Sequence, residues 1–343
     1  MRNGGNTQAS RTGRHRGVTT PHKIKVLYIA GWGRSGSTII DNILGEIDGF
    51  FSGGEIHYLW ERGLIEGRKC GCGRGLSECP VWSRVLERLE INEIAASASP
   101  AQVVRWQRES VRVRHAFGLL RMTPERARRK ESLDLYTRLL GATYAAIAEV
   151  TGARVIVDSS KRPSDVAALH LVPGVSPYAV HLVRDPRAVA YSWHRRKAHL
   201  DRSAPTEMRR HGTAASTLSW SLWNAAIEML RRSDHVESKR LRYEDFVVDP
   251  RRAIQAIVDM VGEDASDVPF VDGMTVRLSG NHTISGNPSR FSTGTVFLKS
   301  DDDWIREQSF KDRMIATSLA APLLHRYGYR LRPRQPVASE QDQ

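Results

Sequence analysis

The sequence predicts an α/β fold of three layers, with a mainly parallel central sheet, a P-loop-like anion-binding loop and a helical insertion. Three observations point to it. Lys25-Val-Leu-Tyr-Ile-Ala30 is an apolar run of strand formers that ends in the glycine-rich turn Gly31-Trp-Gly-Arg-Ser-Gly36, and an apolar helix pattern follows at once. Further short buried-type strands alternate with helical stretches, which implies right-handed βαβ units. Of the 343 residues, 40% are apolar, ample for a large core.

The first strand is expected over Lys25 to Ala30. The helix after it carries Ile39, Ile40, Ile43 and Leu44 on one face and ends at Gly45. Phe50 to Gly54 reads as a turn-rich stretch leading to Glu55-Ile-His57-Tyr-Leu-Trp60. From Pro100 to about Ala148 the pattern is helical, with breaks expected near Gly118, Pro124 and Gly141. This is the insertion, about 95–150. Arg154 to Asp158 and Tyr178 to Val183 are the second and third strands. Arg240 to Val247 opens as a fourth and turns toward a helix after Pro250. No internal repeat or clear linker interrupts 23–331, so one domain is expected there, between a polar, disordered basic tail (1–22) and a flexible C-terminal tail (332–343).

The turn after the first strand has the chemistry of an anion site. Gly31, Gly33 and Gly36 let backbone N–H groups converge, and the following helix adds its positive end. The spacing approaches that of nucleotide hydrolases, but Ser37 stands where their loop needs lysine, and the basic residue comes earlier, at Arg34. A phosphate fits this loop better than a magnesium-bound triphosphate.

The motif Gly31-Trp-Gly-Arg34-Ser-Gly-Ser-Thr38 resembles the 5′-phosphosulfate loop of sulfotransferases that use 3′-phosphoadenosine 5′-phosphosulfate (PAPS). His181-Leu-Val-Arg184-Asp-Pro-Arg-Ala-Val-Ala-Tyr-Ser192 resembles that family's 3′-phosphate signature, an arginine ending a strand and a serine eight residues later on a helix. The resemblance runs from about Lys23 to Arg330. It implies transfer of a sulfuryl group from PAPS to a hydroxyl, leaving 3′-phosphoadenosine 5′-phosphate (PAP), with no metal required. It also implies a donor site made of Gly33, Arg34, Ser35, Gly36, Ser37 and Thr38 with Arg184, Ser192, Arg196 and Tyr243. Asp185 suits the cap of the helix after the third strand and Pro186 its first position, and Ser192 and Arg196, four apart, are expected on one helix face. Arg187, Arg195 and Lys197 read as ordinary solvent-exposed residues.

Catalytic roles follow from the same resemblance. Arg34 and Lys161, in Asp158-Ser-Ser-Lys161, are placed to stabilise charge during transfer. Gly54-Glu55 resembles the catalytic glutamate segment of the tyrosylprotein branch and many bacterial homologues, which makes Glu55 the candidate general base. His57, His181 and His282 are rivals, because cytosolic sulfotransferases use a histidine. The polar loop His282-Thr-Ile-Ser285-Gly-Asn287-Pro-Ser-Arg290 resembles the segment that closes over the donor, implicating Ser285 and Arg290, though it lacks the Arg-Lys-Gly closing motif. Trp220 and Trp304 read as packing residues.

Two other function classes compete. A P-loop kinase or nucleotide hydrolase would use Asp158 as a magnesium-binding acid, but Ser37 opposes it. A non-enzymatic anion-binding protein would leave Arg34, Glu55, Lys161, Arg184 and Ser192 unexplained together. The net charge of +13 favours an anionic ligand or surface. Nine basic residues between Arg105 and Lys130 read as a solvated face of the insertion, with a lid over an anionic acceptor or a peripheral membrane contact as the sharper alternative. No nucleic-acid partner is expected. The acceptor, a small molecule, sugar or glycolipid, and the oligomeric state are not legible. No segment is long and apolar enough to span a bilayer and the N-terminus lacks a signal peptide's apolar region, so a cytoplasmic location is expected. Cys70, Cys72 and Cys79 form one cluster, read as reduced structural thiols, with a zinc site completed by His57 as the alternative.

Overall fold

A computed structural model describes residues 23–202, 204, 206–264 and 268–332. The tails expected over 1–22 and 332–343 lie outside the described residues, Arg332 excepted. In chain order the elements are β1 (Ile24–Ala30), α1 (Ser37–Gly45) and β2 (Phe50–Gly54), then a 3₁₀ turn (Ile56–Tyr58) and a π-helical segment (Leu59–Ile65). Six helices follow: α2 (Trp82–Glu90), α3 (Glu93–Ser97), α4 (Pro100–Ser110), α5 (Ala116–Leu120), α6 (Pro124–Arg128) and α7 (Glu131–Thr151). The chain then runs β3 (Val155–Lys161), α8 (Pro163–Leu169), β4 (Val175–Val183), α9 (Pro186–His194), α10 (Thr213–Leu230), β5 (Glu237–Arg242), α11 (Tyr243–Val248) and α12 (Pro250–Met260). It ends with β6 (Thr275–Leu278), β7 (Gly294–Phe297), α13 (Asp303–Glu307) and α14 (Phe310–Arg326).

The five long-range strands form one parallel sheet in the order β2-β3-β1-β4-β5. β1 lies at its centre, which is why it is apolar on both faces. Val26, Tyr28 and Ala30 pack toward α2, α7 and α8, whereas Leu27 and Ile29 pack toward α1 and α12. After β3 the chain crosses β1 to add β4 on its other side. Ligands of such sheets bind beyond the carboxyl ends of the strands where the order switches. A separate antiparallel pair, β6 with β7, carries the loop 279–293 between its strands.

Several elements differ from the sequence expectation. Phe50–Gly54 is the edge strand β2, paired with β3, and not a turn; its Gly-Gly end reads locally as a turn, but β3 supplies the pairing partner. Helix begins at Trp82, well before 95. Gly118 lies inside α5, and the break comes at 121–123, where the Thr123 side chain caps α6. Gly141 sits in the middle of α7, because a Cβ there would meet the Pro173 carbonyl oxygen at 2.8 Å; it serves close packing and is not a helix break. The fourth strand ends at Arg242, and Tyr243–Val248 is already helical. The nine basic side chains of the 105–130 region are all exposed. Among the described residues no helix is long and apolar enough to cross a membrane.

Candidate active site

Three neighbouring strands deliver cations to one edge of the sheet. β1 runs into the 31–36 loop, β3 ends at Lys161, and β4 runs into Arg184. They open on a cleft of about 450 Å³. Arg34, Arg62, Lys161, Arg162, Arg184, Lys197 and Lys299 line it, and among the described residues only Glu55 and Asp301 bring carboxylates to its wall. Such an excess of positive charge in a concave, partly desolvated space selects an anion.

The glycine loop is shaped by sterics. Gly36 has φ 90°, and a Cβ on it would lie 2.3 Å from the ring of Tyr243, so glycine alone fits. α1 starts immediately afterwards with no side-chain cap, leaving the N–H groups of its first turn for a ligand. Arg34 itself has φ 69°. Its guanidinium lies 4.9 Å from the Trp193 ring centroid and Nη2 is 3.5 Å from the Met208 sulfur, while Nη1 is buried with no hydrogen-bond partner among the described residues. Burial pushes this guanidinium's pKa down. An unsatisfied buried donor costs about 1–3 kcal/mol, and more when charged, so the arrangement fits a site that an anion completes.

Glu55 follows β2. Its N–H donates to the Ile284 carbonyl at 2.7 Å, and the Ile284 N–H donates to the Gly53 carbonyl at 2.9 Å, so the late loop fixes the glutamate's backbone. Lys161 Nζ donates to Oε1 at 2.6 Å and Arg62 Nη1 to Oε2 at 2.9 Å. Arg62 also donates to Ser285 Oγ at 2.6 Å. Burial pushes the Glu55 carboxyl up, but Lys161 and Arg62 outweigh it and hold it at about 2.

Arg184 Nη1 donates to the Arg34 carbonyl at 3.0 Å and Nη2 to Asp301 at 2.9 Å, with its guanidinium 4.7 Å from the Tyr243 ring centroid. Lys197 lines the same end of the cleft; burial, then the charges of Arg34 and Arg195, push its ammonium down to about 8. Backbone strain collects here too. The non-glycine residues with left-handed φ among the described residues are Arg34, Lys161 (71°) and Ser285 (56°), and all three belong to this site. Each costs about 1–3 kcal/mol, a burden that functional sites characteristically carry.

Of the residues singled out from sequence, Gly33, Arg34, Gly36, Ser37, Thr38, Glu55, Lys161, Arg184, Ser192 and Tyr243 line the cleft, and Ser285 touches it through Arg62. Ser35 is buried behind the loop. Arg196 is displaced. α9 stops at His194, Arg195 is extended, and Arg196 is exposed and 3.8 Å from Glu207, so it does not share a helix face with Ser192. Arg290 is buried behind the wall, donating to the carbonyls of Thr283 and Lys69 and 3.5 Å from Asp201; its donors are already committed.

The rival bases lie elsewhere. His57 faces Asp165 at 2.9 Å, His181 is buried on β4 against Asn224 and Glu228, and His282 sits among the cysteines. Asp158 is inside β3, accepting from Tyr144 and Ser160, and does not line the cleft. Trp220 and Trp304 are buried, Trp220 donating to the Arg184 carbonyl. Arg62 and Lys299 were missed; Lys197, expected to be solvent-exposed, lines the cleft, and Arg187, expected the same, is buried against Asp185 at 2.7 Å. Lys197 is one position from Arg196, and only the unseen end of α9 separates them; nothing local marks Arg62 or Lys299.

The profile of the sulfotransferase family matches residues 27–267. The chain belongs to the sulfotransferase family. The match begins in β1 and includes Arg34, Glu55, Lys161, Arg184 and Tyr243, but stops before Ser285. Among solved structures, the sulfotransferase domain of the curacin biosynthetic pathway aligns with 90% of this sulfotransferase and 99% of its own chain, at 16% identity and a TM-score of 0.50. The sulfotransferase domain of the Synechococcus PCC 7002 olefin synthase aligns with 91% and 98%, at 20% identity and a TM-score of 0.47. A sulfotransferase of Mycobacterium tuberculosis H37Rv aligns with 72% and 70%, at 16% and 0.38. A comparison with curated protein sequences finds no significant match.

Proposed function

We propose that this sulfotransferase moves a sulfuryl group from PAPS to a hydroxyl of a small-molecule, sugar or glycolipid acceptor, with Glu55 as general base. The observation that carries the reading is the cleft itself: cations from three adjacent strand ends around a glycine loop, one of them, Arg34, with a buried unpartnered donor.

In this reading Gly33 to Thr38 and the first turn of α1 hold the 5′-phosphosulfate. Arg184 and Ser192 hold the 3′-phosphate, and Lys197 replaces Arg196 as the additional cation. Arg34 and Lys161 oppose the charge that grows on the bridging oxygen. The acceptor oxygen bonds to sulfur and the bridging sulfur–oxygen bond breaks, its electron pair staying on the 5′-phosphate. The acceptor's proton passes to Glu55.

A carboxyl held near 2 is always ionised at neutral pH but is a weak base. We infer that Lys161 resolves this. It neutralises Glu55 in the free enzyme, and its ammonium turns to the sulfuryl oxygens when the donor binds, which lets the Glu55 pKa rise toward its ordinary value. Arg62 keeps the carboxylate aimed. Thermal unfolding with and without PAP tests the site: PAP should raise the melting temperature, and Arg34→Ala should shrink that rise. A wild-type protein indifferent to saturating PAP would remove the reading.

A further inference from the structure

A second constellation lies behind the cleft wall. Cys70, Cys72, Cys79 and His282 place one ligand atom each within 4.8 Å of one another. Cys70 Sγ and Cys79 Sγ are 3.6 Å apart, and His282 Nδ1 lies 3.9 Å from the first and 3.2 Å from the second. A tetrahedral zinc with bonds of about 2.3 Å to sulfur and 2.0–2.1 Å to nitrogen needs edges of about 3.8 Å between sulfurs and 3.6 Å between sulfur and nitrogen. The three contacts among Cys70, Cys79 and His282 already approach those edges, and Cys72 lies within 4.8 Å of each of them. We propose that these four residues bind one structural zinc ion.

The fold around the cluster is built for it. The chain reverses tightly between the first two ligands, with Gly73 N–H donating to the Cys70 carbonyl and Cys70 N–H to the Arg74 carbonyl, both at 2.8 Å. Gly71 lets the His282 strand of chain approach: a Cβ there would lie 2.0 Å from Asn281 Oδ1. Trp82 Nε1 donates to the His282 carbonyl at 2.6 Å, fixing that residue's backbone. Cys70 and Cys79 are fully buried and Cys72 half-buried, so the site is closed, as structural zinc sites are. A Cys70–Cys79 disulfide would explain two of the four residues and leave Cys72 and His282 converging on nothing.

His282 is the fourth ligand in place of His57, which pairs with Asp165. The consequence is mechanical. The cysteine loop follows the π-helical segment that carries Arg62, and His282 is three residues before Ser285 in the loop whose Ile284 carbonyl receives the Glu55 N–H. The ion would join the two segments that hold Arg62, Ser285 and Glu55 in place, acting on the site through its scaffold and making no contact with the reacting groups. The metal assignment stands independently of the donor reading.

The test is metal content. Full-length protein, purified without a histidine tag from zinc-supplemented cells, should carry one zinc per chain by mass spectrometry of the metal. All three cysteines should resist alkylation until a strong chelator is added, and the same chelator should lower the melting temperature. Cobalt substitution should give the visible absorption of a tetrahedral thiolate site, a readout that needs no variant to fold. Cys79→Ser and His282→Asn should lose the metal; Cys72→Ser tests the half-buried ligand in the same way. Wild-type protein with only trace metal, cysteines alkylated freely without chelator, or a Cys70–Cys79 disulfide in freshly purified protein would overturn the proposal.

Discussion

Replacing Glu55 by glutamine separates the roles assigned to the centre of the cleft. The change keeps size and removes a charge that lies 2.6 Å from Lys161 Nζ and 2.9 Å from Arg62 Nη1. Breaking a fully buried pair costs about 3–5 kcal/mol. Here Lys161 keeps the Ser159 carbonyl at 3.0 Å and Arg62 keeps Ser285 Oγ, so the loss in the free protein should be smaller, about 1–3 kcal/mol. At about 2–4 °C per kcal/mol for large domains, the melting temperature should fall by about 2–12 °C. PAP lacks the sulfuryl group, but its 5′-phosphate oxygen at the place of the bridging oxygen gives Lys161 a counter-charge, so the PAP-induced rise in melting temperature should be larger in the variant than in wild type. Turnover, measured with any acceptor that supports the wild type, should fall by about 10²–10⁴-fold, the span of general-base catalysis. His57→Asn should cost far less, its ring being committed to Asp165. Near-normal turnover of Glu55→Gln, or loss of PAP binding in parallel with turnover, would refute the base assignment and the release of Lys161.

Arg184→Ala should weaken PAP binding by about 1.5–3 kcal/mol, roughly 10–150-fold, whereas exposed Arg196→Ala should leave it unchanged by calorimetry. Lys197 is depressed to about 8 in the free protein; phosphate favours its charged form, so PAP binding should take up a proton and weaken as pH rises through 8, and Lys197→Met should abolish the uptake seen in buffers of different ionisation enthalpy. Asp41 is pushed up to about 7 by burial, against the hydroxyls of Ser159 and Ser52. A folded pKa above the unfolded value of about 3.9 stabilises most below pH 4, and that contribution is lost as pH rises through 7; Asp41→Asn should flatten the melting-temperature profile between pH 4 and 8.

What could be read from the sequence was local. β1, its glycine turn and α1 announce themselves because the turn residues and the apolar periods are contiguous, and Asp185 with Pro186 announces α9 the same way. β2 is not local: Phe50–Gly54 becomes a strand because β3 offers an edge, and its glycines alone read as a turn. The end of α9 carries no glycine or proline, so the sequence keeps Arg196 on the helix face, and the structure gives that end of the cleft to Lys197 instead. Arg290 looks like any loop arginine until Thr283 and Lys69 are seen to occupy it. The Glu55–Lys161 pair spans 106 residues and the Cys70–His282 contact 212, distances at which no spacing rule operates. His57, close in sequence to the cysteines, is therefore the natural but incorrect fourth member of their cluster.

The central claim is that this cleft is shaped for a nucleotide with both a 5′- and a 3′-phosphate and needs no magnesium. Calorimetric titration of the protein with PAP, AMP and ATP with magnesium, at one pH and ionic strength, addresses it directly. PAP should bind without added metal and at least about tenfold more tightly than AMP, since the 3′-phosphate's charged contacts are worth about 1.5–3 kcal/mol. PAP binding no better than AMP, or tighter binding of ATP with magnesium than of PAP, would contradict it.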